Sequence, residues 1–237
     1  MIKKLARTLF DRLGYEVNKK QTTNSNLESD LSNISLFCQP KTVIDVGVAY
    51  GTYSLYEAFP TARFILLEPL KDYEDAIKKI AQKYNCDIHY KAVGNKNETK
   101  EITVNMNDLQ LTSFAKRTAL TKNENQLERR KVEVTTLDTI LQESQNMEPP
   151  ILLKIDTEGH ELSVLEGAKS LLEITDTIIA EVSIAKRFED SYDFEDIILF
   201  LKEHGFYLVT FLNIIHPKGE LRPRFVDVIF KRRQKTL

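Results

Sequence analysis

Short apolar runs alternate with longer amphipathic stretches along the chain after Pro40. The runs rich in β-branched residues predict strands at Thr42–Val46, Arg63–Glu68, Ile88–Val93, Ile151–Asp156, Thr177–Val182, Tyr207–Phe211 and Phe225–Lys231. The amphipathic stretches predict helices at Gly51–Ala58, Lys71–Tyr84, Leu162–Leu172 and Phe194–His204. This alternation predicts a parallel sheet covered by helices on both faces. The last two predicted strands have no helix between them, so we expect an antiparallel hairpin at one edge.

The segment before Pro40 has a different pattern. Apolar side chains recur at helical spacing and basic side chains flank them, which predicts an amphipathic helix near the start: Ile2, Leu5, Ala6, Leu9, Phe10 and Leu13. Residues 18–33 are polar and predict a linker. We therefore expect an extension over residues 1–39 and one domain over residues 40–237. The helix is expected to pack on its own domain, on a second subunit or on an anionic membrane surface, and these alternatives stay open.

Residues 95–150 form an unusually long connection between two predicted strands. It contains an alternating strand, Glu101–Met106, a charged run, Lys116–Lys131, and a second strand, Val132–Thr135. Long connections in compact domains often form lids or binding loops. We therefore expect this segment to shape a substrate pocket.

Composition and charge exclude several classes of protein. The two cysteines lie 48 residues apart without metal-ligand spacing, which excludes a disulfide framework and a structural zinc site. No apolar run is long enough to span a bilayer and no secretory signal is recognisable, so we expect a cytoplasmic protein. The net charge is −2, but residues 1–20 carry +4 and residues 218–237 carry +5, which leaves −11 between them. A nucleic-acid surface on the central body is therefore not expected.

The loop after the first predicted strand has the composition of a cofactor-binding bend. Asp45, Gly47, Ala49, Tyr50 and Gly51 lead from the strand into a helix, and glycines are needed where such a turn is tight. A dinucleotide fingerprint is matched at only one of its three small positions, which argues against a nicotinamide oxidoreductase. The acidic-start pattern D-x-G-x-G-x-G of S-adenosylmethionine (SAM) enzymes is matched except at Ala49.

A second part of the predicted cofactor site lies at the ends of the next two strands. Glu68 ends the second strand, where its carboxylate can accept hydrogen bonds from both ribose hydroxyls. We add to the cofactor-binding set the adjacent Pro69 and, at the end of the third predicted strand, Ala92 and Val93.

Carboxylates are concentrated at the fourth and fifth predicted strands. Lys154 and Asp156 share one strand face, and a buried Lys154 requires a carboxylate partner. Glu158 and His160 follow in the exit loop, and Glu181 lies one strand further on. Because adjacent strands are about 4.8 Å apart, Asp156 and Glu181 could share one site.

At this point the motifs DVGVAYG, LLEP, LLKIDTEGHELSVLEGA and IIAEVS resemble the FkbM family of SAM-dependent methyltransferases, from about Lys41 to the C-terminus. The resemblance implies a class I, Rossmann-like fold with a seven-stranded sheet whose last strand is antiparallel. It implies SAM as the cofactor, with S-adenosylhomocysteine as the product, and methyl transfer to a hydroxyl of a sugar, glycolipid or secondary metabolite. Asp45, Gly47 and Gly51 match its methionine-end loop and Glu68 its ribose carboxylate.

Transfer of a methyl group to an alcohol is assisted by a base that takes the hydroxyl proton. We expect Asp156 to be this base and also to adjoin the cofactor, with Glu158 or His160 as alternates and with Glu181 as the neighbour that raises its proton affinity. As a weaker alternative, Asp156 and Glu181 bind Mg²⁺. Other functions left open are an RNA or protein methyltransferase and a non-catalytic SAM-fold binding module.

Overall fold

The computed structural model describes residues 31–118, 126–144, 146–189, 191–217, 219 and 221–233. The strands are β1 Thr42–Val46, β2 Arg63–Leu67, β3 Asn85–His89, β4 Ala92–Val93, β5 Glu98–Asn105, β6 Leu127–Thr135, β7 Ile151–Ile155, β8 Thr175–Ser183, β9 Phe206–Ile215 and β10 Phe225–Arg232. The α-helices are α1 Tyr53–Ala58, α2 Glu74–Ala81, α3 Leu137–Glu143, α4 Glu161–Glu166, α5 Lys169–Ile174 and α6 Phe194–Glu203. Short 3₁₀ helices cover Leu31–Leu36, Lys71–Tyr73 and Leu109–Leu111.

Seven strands form one sheet in the order β3-β2-β1-β7-β8-β10-β9. All neighbouring pairs from β3 to β8 are parallel, whereas β10 runs antiparallel to both β8 and β9. The predicted class I sheet with a reversed last strand and an edge hairpin is therefore confirmed. Because β1, β2, β7 and β8 are parallel, their carboxyl ends meet at one edge of the sheet. The strand order reverses between β1 and β7, and ligands bind beside such a switch point in open α/β sheets.

Buried apolar side chains fill both faces of this sheet. One core cluster lies between the sheet and helices α3 to α6, and it includes Leu153, Ile155 and Val164. The other lies under α1, α2 and the first 3₁₀ helix, and it includes Leu55, Phe64 and Ile77. The central strand β7 is buried at every position, as expected for a parallel strand covered on both sides.

Beyond shifts at the ends of several elements, the observed secondary structure differs from the sequence prediction in three places. The predicted strand Ile88–Val93 is two strands, because the chain leaves the main sheet after His89 and Ala92–Val93 pairs with β6 in a second, three-stranded sheet. The predicted helix Leu162–Leu172 is divided into α4 and α5 around Gly167, against which the Gly94 carbonyl packs so closely that a Cβ would lie 2.1 Å from its oxygen. Helix α3 was not predicted; the Thr136 side chain caps it by accepting from the Thr139 N–H at 3.0 Å.

The second sheet is built from the long connection. Its order is β4-β6-β5, with β5 and β6 antiparallel. Both strands begin earlier than the sequence predicted, β5 at Glu98 and β6 at Leu127. Ser113 pairs with Thr103 beside β5, which brings residues 109–114 over the carboxyl edge of the main sheet.

The predicted N-terminal helix lies outside the described residues. The described chain begins at Leu31, which is fully buried together with Ile34 in the second core cluster. The domain boundary predicted after residue 39 stays a prediction. Within the described ranges, none of the helices is both long and apolar enough for a membrane span.

Candidate active site

A cleft of about 750 Å³ opens at the carboxyl edge of the main sheet. It is lined by the ends of β1, β2, β7 and β8 and by residues 108–112 and Phe114 of the long connection. Of the predicted site residues, all but Asp45 line this cleft. The sequence therefore identified side chains that the fold brings into one cavity.

The bend after β1 has the close packing that its composition predicts. Gly47 has a φ of +81°, and a Cβ there would lie 1.9 Å from the main-chain oxygen of Asp156. Ala49 has a φ of +47°, so it adopts the left-handed conformation that glycine adopts at lower cost. The departure from the glycine pattern at Ala49 leaves the turn formed but strained.

Asp45 lies beneath the bend and is fully buried. Its Oδ2 accepts a hydrogen bond from the Tyr56 hydroxyl at 2.5 Å, and its Oδ1 lies 3.0 Å from Lys154 Nζ. The same Nζ donates to the Gly47 carbonyl at 2.9 Å. Asp45 therefore supports the bend from below.

Glu68 presents a buried carboxylate beside this bend. Its Oε2 accepts from the Ala49 N–H at 3.0 Å and its Oε1 from the Leu70 N–H at 2.9 Å. Burial raises the pKa of Glu68 to about 7, although both N–H groups favour the ionised form. Each carboxylate oxygen has a further lone pair, and the residue lines the cleft, so the group can accept additional hydrogen bonds there.

The remaining predicted cofactor residues surround Glu68 on the same side of the cleft. Tyr50 is about half exposed, and its ring meets the Tyr73 ring edge-on at 4.9 Å. Pro69 follows Glu68 directly, while Ala92 and Val93 are buried in β4 and also line the cleft. This end of the cleft combines one carboxylate with apolar and aromatic groups.

Asp156 lies where β7 ends, and its N–H donates to the Val46 carbonyl at 3.0 Å. Its side chain is 34% exposed, and Oδ2 lies 3.7 Å from Lys154 Nζ. Lys154 is itself 2% exposed, so its ammonium group lies between Asp45 and Asp156 in the protein interior. The carboxylate partner predicted for Lys154 is therefore present twice.

Glu158 and Glu181 are joined by an arginine that the sequence analysis did not single out. Arg187 donates through Nη2 to Glu158 Oε2 at 2.5 Å and through Nη1 to Glu181 Oε1 at 2.6 Å. Arg117 donates to the same Glu158 oxygen at 3.1 Å. Burial raises the pKa of both carboxyl groups, and the two guanidinium groups oppose this rise at Glu158, as Arg187 does at Glu181.

His160 lies at the boundary between the main cleft and a second cavity of about 490 Å³. Its ring lies 4.9 Å from the Phe114 ring. Burial lowers the pKa of His160 to about 4, so the imidazole is neutral at pH 7. An imidazole with so low a pKa is a weak base.

The loop between Asp156 and α4 is fixed by Glu161, whose side chain is buried. Its Oε1 accepts from the Thr157 N–H at 2.9 Å and from the Gly159 N–H at 3.1 Å, and its Oε2 accepts from the Tyr192 hydroxyl at 2.5 Å. Glu158, with a φ of +52°, is held in a left-handed conformation within this loop. Glu161 therefore orients the loop.

Sequence reasoning missed several residues of the cleft. They are Asn213 and Asp227 on the edge hairpin. Arg187, which follows β8 and binds two carboxylates of the cleft, was missed as well. Residues 108–112 line the cleft and belong to the long connection that was expected to shape a pocket. Within the described ranges no group of three His, Cys, Asp or Glu side chains has the arrangement of a metal site. Glu181 is one of the two carboxylates considered for Mg²⁺. It is bound by Arg187, so this carboxylate already has a positively charged partner.

The order of strands, the reversed β10 and the cleft beyond β1 and β2 define a class I methyltransferase fold. Residues 45–208 match the family model described as the methyltransferase FkbM domain, which covers more than half of the chain. The chain therefore belongs to the FkbM family of methyltransferases, as the sequence motifs predicted.

Solved structures with the same fold share little sequence with this chain. An FkbM methyltransferase from Methylobacillus flagellatus KT is similar with a TM-score of 0.51 and 16% identity, over 81% of this chain and 44% of that protein. This chain thus spans less than half the length of that protein. A precorrin-6y C5,15-methyltransferase from Geobacter metallireducens GS-15 has a TM-score of 0.46 and 12% identity, over 92% of this chain and 94% of that one. No curated protein matches the chain by sequence.

Proposed function

We propose that this chain is a SAM-dependent O-methyltransferase that methylates a hydroxyl group of a sugar, glycolipid or secondary metabolite. Membership of the FkbM family supports methyl transfer. The observation that carries the proposal is the shared cleft, in which Glu68 at the end of β2 and Asp156 at the end of β7 line one cavity. A donor held by the first and an acceptor placed at the second would be neighbours.

The residues at the β1–β2 end fit the cofactor. The small residues of the bend, Gly47 to Gly51, leave the backbone accessible for an amino-acid group. The free lone pairs of the Glu68 carboxylate suit two ribose hydroxyls, and the apolar surface of Ala92 and Val93 suits a planar base. SAM, when bound, supplies a methyl group attached to a positively charged sulfur.

The residues at the β7–β8 end orient the acceptor. Transfer requires the acceptor oxygen to lie in line with the methyl carbon, at roughly 3–3.5 Å before reaction. Asp156 is the carboxylate that takes up the hydroxyl proton, because it is partly exposed to the cleft and no arginine is bonded to it in the described residues. The Lys154 ammonium group lies 3.7 Å from Asp156 Oδ2, and both residues line the cleft.

Two measurements test the proposal. Calorimetry with S-adenosylhomocysteine should show binding that is lost in a Glu68→Ala variant. Incubation with methyl-labelled SAM and a panel of sugar nucleotides, glycolipids and hydroxylated small molecules should label an oxygen of at least one of them. Binding without transfer to any member, together with transfer to RNA or to a protein, would replace the proposed acceptor class.

We also propose that the protein acts in the cytoplasm, and that residues 1–17 either bring it to an anionic membrane surface or pack within the protein or a homo-oligomer. The net charge of +4 on residues 1–20 supports the membrane alternative. Sedimentation with anionic vesicles, with and without residues 1–17, separates the two. Equal sedimentation of both forms would exclude the membrane alternative.

A further inference from the structure

Arg187 joins two carboxylates in the acceptor half of the cleft. It is 5% exposed, and its guanidinium group packs against the Phe225 ring, 4.5 Å from the centroid, and the Phe188 ring at 5.2 Å. The planar group holds Glu158 on one terminal nitrogen and Glu181 on the other. Because both nitrogens belong to one rigid fork, the two carboxylates are fixed side by side.

Each carboxylate keeps one oxygen for a ligand. Arg187 and Arg117 both bind Glu158 through Oε2, and Arg187 binds Glu181 through Oε1. Within the part of the chain that the structure describes, Glu158 Oε1 and Glu181 Oε2 have no hydrogen-bond partner. Neither oxygen is fully buried. Both residues line the cleft and are held by the same guanidinium group, so two acceptor oxygens are available there.

The carboxylates of this group suit a ligand that donates O–H hydrogen bonds. The two carboxylates, Glu158 and Glu181, are balanced by the two guanidinium groups, Arg117 and Arg187. The oxygens of both carboxylates are strong hydrogen-bond acceptors for O–H donors. Neighbouring hydroxyls on a sugar ring supply two such donors in a fixed geometry.

We propose that Arg187 is a positioning residue that holds Glu158 and Glu181 as a paired hydrogen-bond acceptor for two neighbouring hydroxyls of a sugar-like acceptor. This inference rests on the proposed function, since it requires the acceptor to occupy this cleft. It separates binding from proton transfer: Glu158 and Glu181 hold the acceptor, and Asp156 takes up the proton.

The electrostatic surroundings of Glu181 agree with this role. Burial, and the negative charges of Asp156, Glu158 and Asp227, raise the pKa of Glu181, and the guanidinium of Arg187 opposes that rise. Removing Arg187 should therefore move the titration of Glu181 to higher pH and leave its carboxyl protonated over a wider range. A protonated carboxyl group accepts hydrogen bonds more weakly than a carboxylate.

The test compares Arg187→Met and Arg187→Lys with the wild type. Lys186→Met is the matched control, because Lys186 is exposed and one residue away. The probes are the methyl pyranosides of glucose, galactose, mannose and rhamnose, with the monodeoxy analogues of the tightest binder. Binding is measured by ligand-observed NMR in the presence of S-adenosylhomocysteine. We expect Arg187→Met to weaken binding by about 10-fold or more and Lys186→Met to bind as tightly as the wild type. The affinity of Arg187→Lys should lie between those of Arg187→Met and the wild type.

A second readout does not depend on the probe. Carbon-13 NMR of glutamate-labelled protein should show a carboxyl titration at higher pH in Arg187→Met than in wild type, with Arg187→Lys closer to wild type. Glu181→Gln, which keeps the shape of the side chain, should weaken the pyranoside by about the same factor as Arg187→Met. This variant keeps the inference testable if Arg187→Met does not fold.

The inference is overturned by equal pyranoside binding in wild type and the foldable Arg187 or Glu181 variants. It is also overturned if no pyranoside binds the wild type, or if every monodeoxy analogue binds as tightly as its parent. Calorimetry with S-adenosylhomocysteine on the same samples keeps the two proposals apart. Normal binding of this product with unchanged pyranoside binding refutes only the role of Arg187, whereas absent product binding refutes the proposed function.

Discussion

Lys154 Nζ lies 3.0 Å from Asp45 Oδ1, and both side chains are buried between the neighbouring strands β7 and β1. The two residues are register partners, so the ion pair spans adjacent positions of the sheet. Through its hydrogen bond to the Gly47 carbonyl, Lys154 also connects this pair to the bend that lines the cleft. The pair therefore couples the stability of the sheet to the shape of the predicted cofactor site.

Replacing Lys154 with Met should destabilise the protein strongly. Asp45 would remain buried with only the Tyr56 hydroxyl as a partner, and breaking a buried pair from one side typically costs about 3–5 kcal/mol. Urea unfolding measures the loss. The double variant Lys154→Met, Asp45→Leu should recover part of it, because no uncompensated charge remains; a double variant less stable than the single one would contradict this account.

Asp156→Asn should remove turnover and leave the cofactor half of the cleft intact. An amide cannot accept the hydroxyl proton, and loss of a positioned base typically lowers the rate by 10²–10⁴-fold. The rate of methyl transfer and calorimetry with S-adenosylhomocysteine check the two parts. Loss of product binding in this variant would instead assign Asp156 to the cofactor site.

Gly47→Ala should abolish binding of S-adenosylhomocysteine, because the added Cβ would lie 1.9 Å from the main-chain oxygen of Asp156 and force the bend apart from β7. Ala49→Gly in the same loop is the matched control. Glycine relieves a left-handed conformation that costs about 1–2 kcal/mol but loses about 0.5–1 kcal/mol in chain entropy, so stability should rise by up to about 1.5 kcal/mol. Calorimetry with S-adenosylhomocysteine and the melting temperatures of both variants test this contrast. A Gly47→Ala protein with the binding and the melting temperature of the wild type would refute the close packing.

Affinity for SAM should depend on pH through Glu68. Burial raises the pKa of this carboxyl to about 7, and the ionised form accepts the ribose hydrogen bonds, so affinity should rise as pH increases from 6 to 8 and fall below pH 7. Calorimetry with S-adenosylhomocysteine across this range measures the effect. Glu68→Gln should bind more weakly and lose the pH dependence, and a variant with the wild-type profile would assign the titration to another group.

The parts of the site that the sequence predicted are those encoded locally. The bend from Asp45 to Gly51, Glu68 at the end of β2 and Asp156 at the end of β7 each follow a recognisable strand, and parallel strands bring their carboxyl ends to one edge. The pairing of Lys154 with a carboxylate followed from the cost of burying an ammonium group.

The parts that were missed depend on contacts between distant segments. Arg187 reaches Glu158 across 29 residues, and Arg117 reaches it across 41. No periodic pattern in the sequence predicts an ion pair between residues so far apart. The early end of β3 at His89 was also missed, because no turn-forming Gly or Pro separates it from Val93 while the hydrogen bonds change from one sheet to another. One available signal was the excess of carboxylates at β7 and β8, which requires cations from elsewhere in the chain.

The long connection is attached to the acceptor half of the cleft at several points. Ser113 Oγ donates to the Glu158 carbonyl at 2.6 Å, and Arg117 binds both the Leu111 carbonyl and the Glu158 carboxylate. The framework strands contribute little to this cover, which is built from residues 108–117. Replacing residues 108–117 should therefore reshape the cover of the cleft without disturbing the strands beneath it, provided that the new segment still supplies a hydroxyl and a guanidinium group for the loop at Glu158.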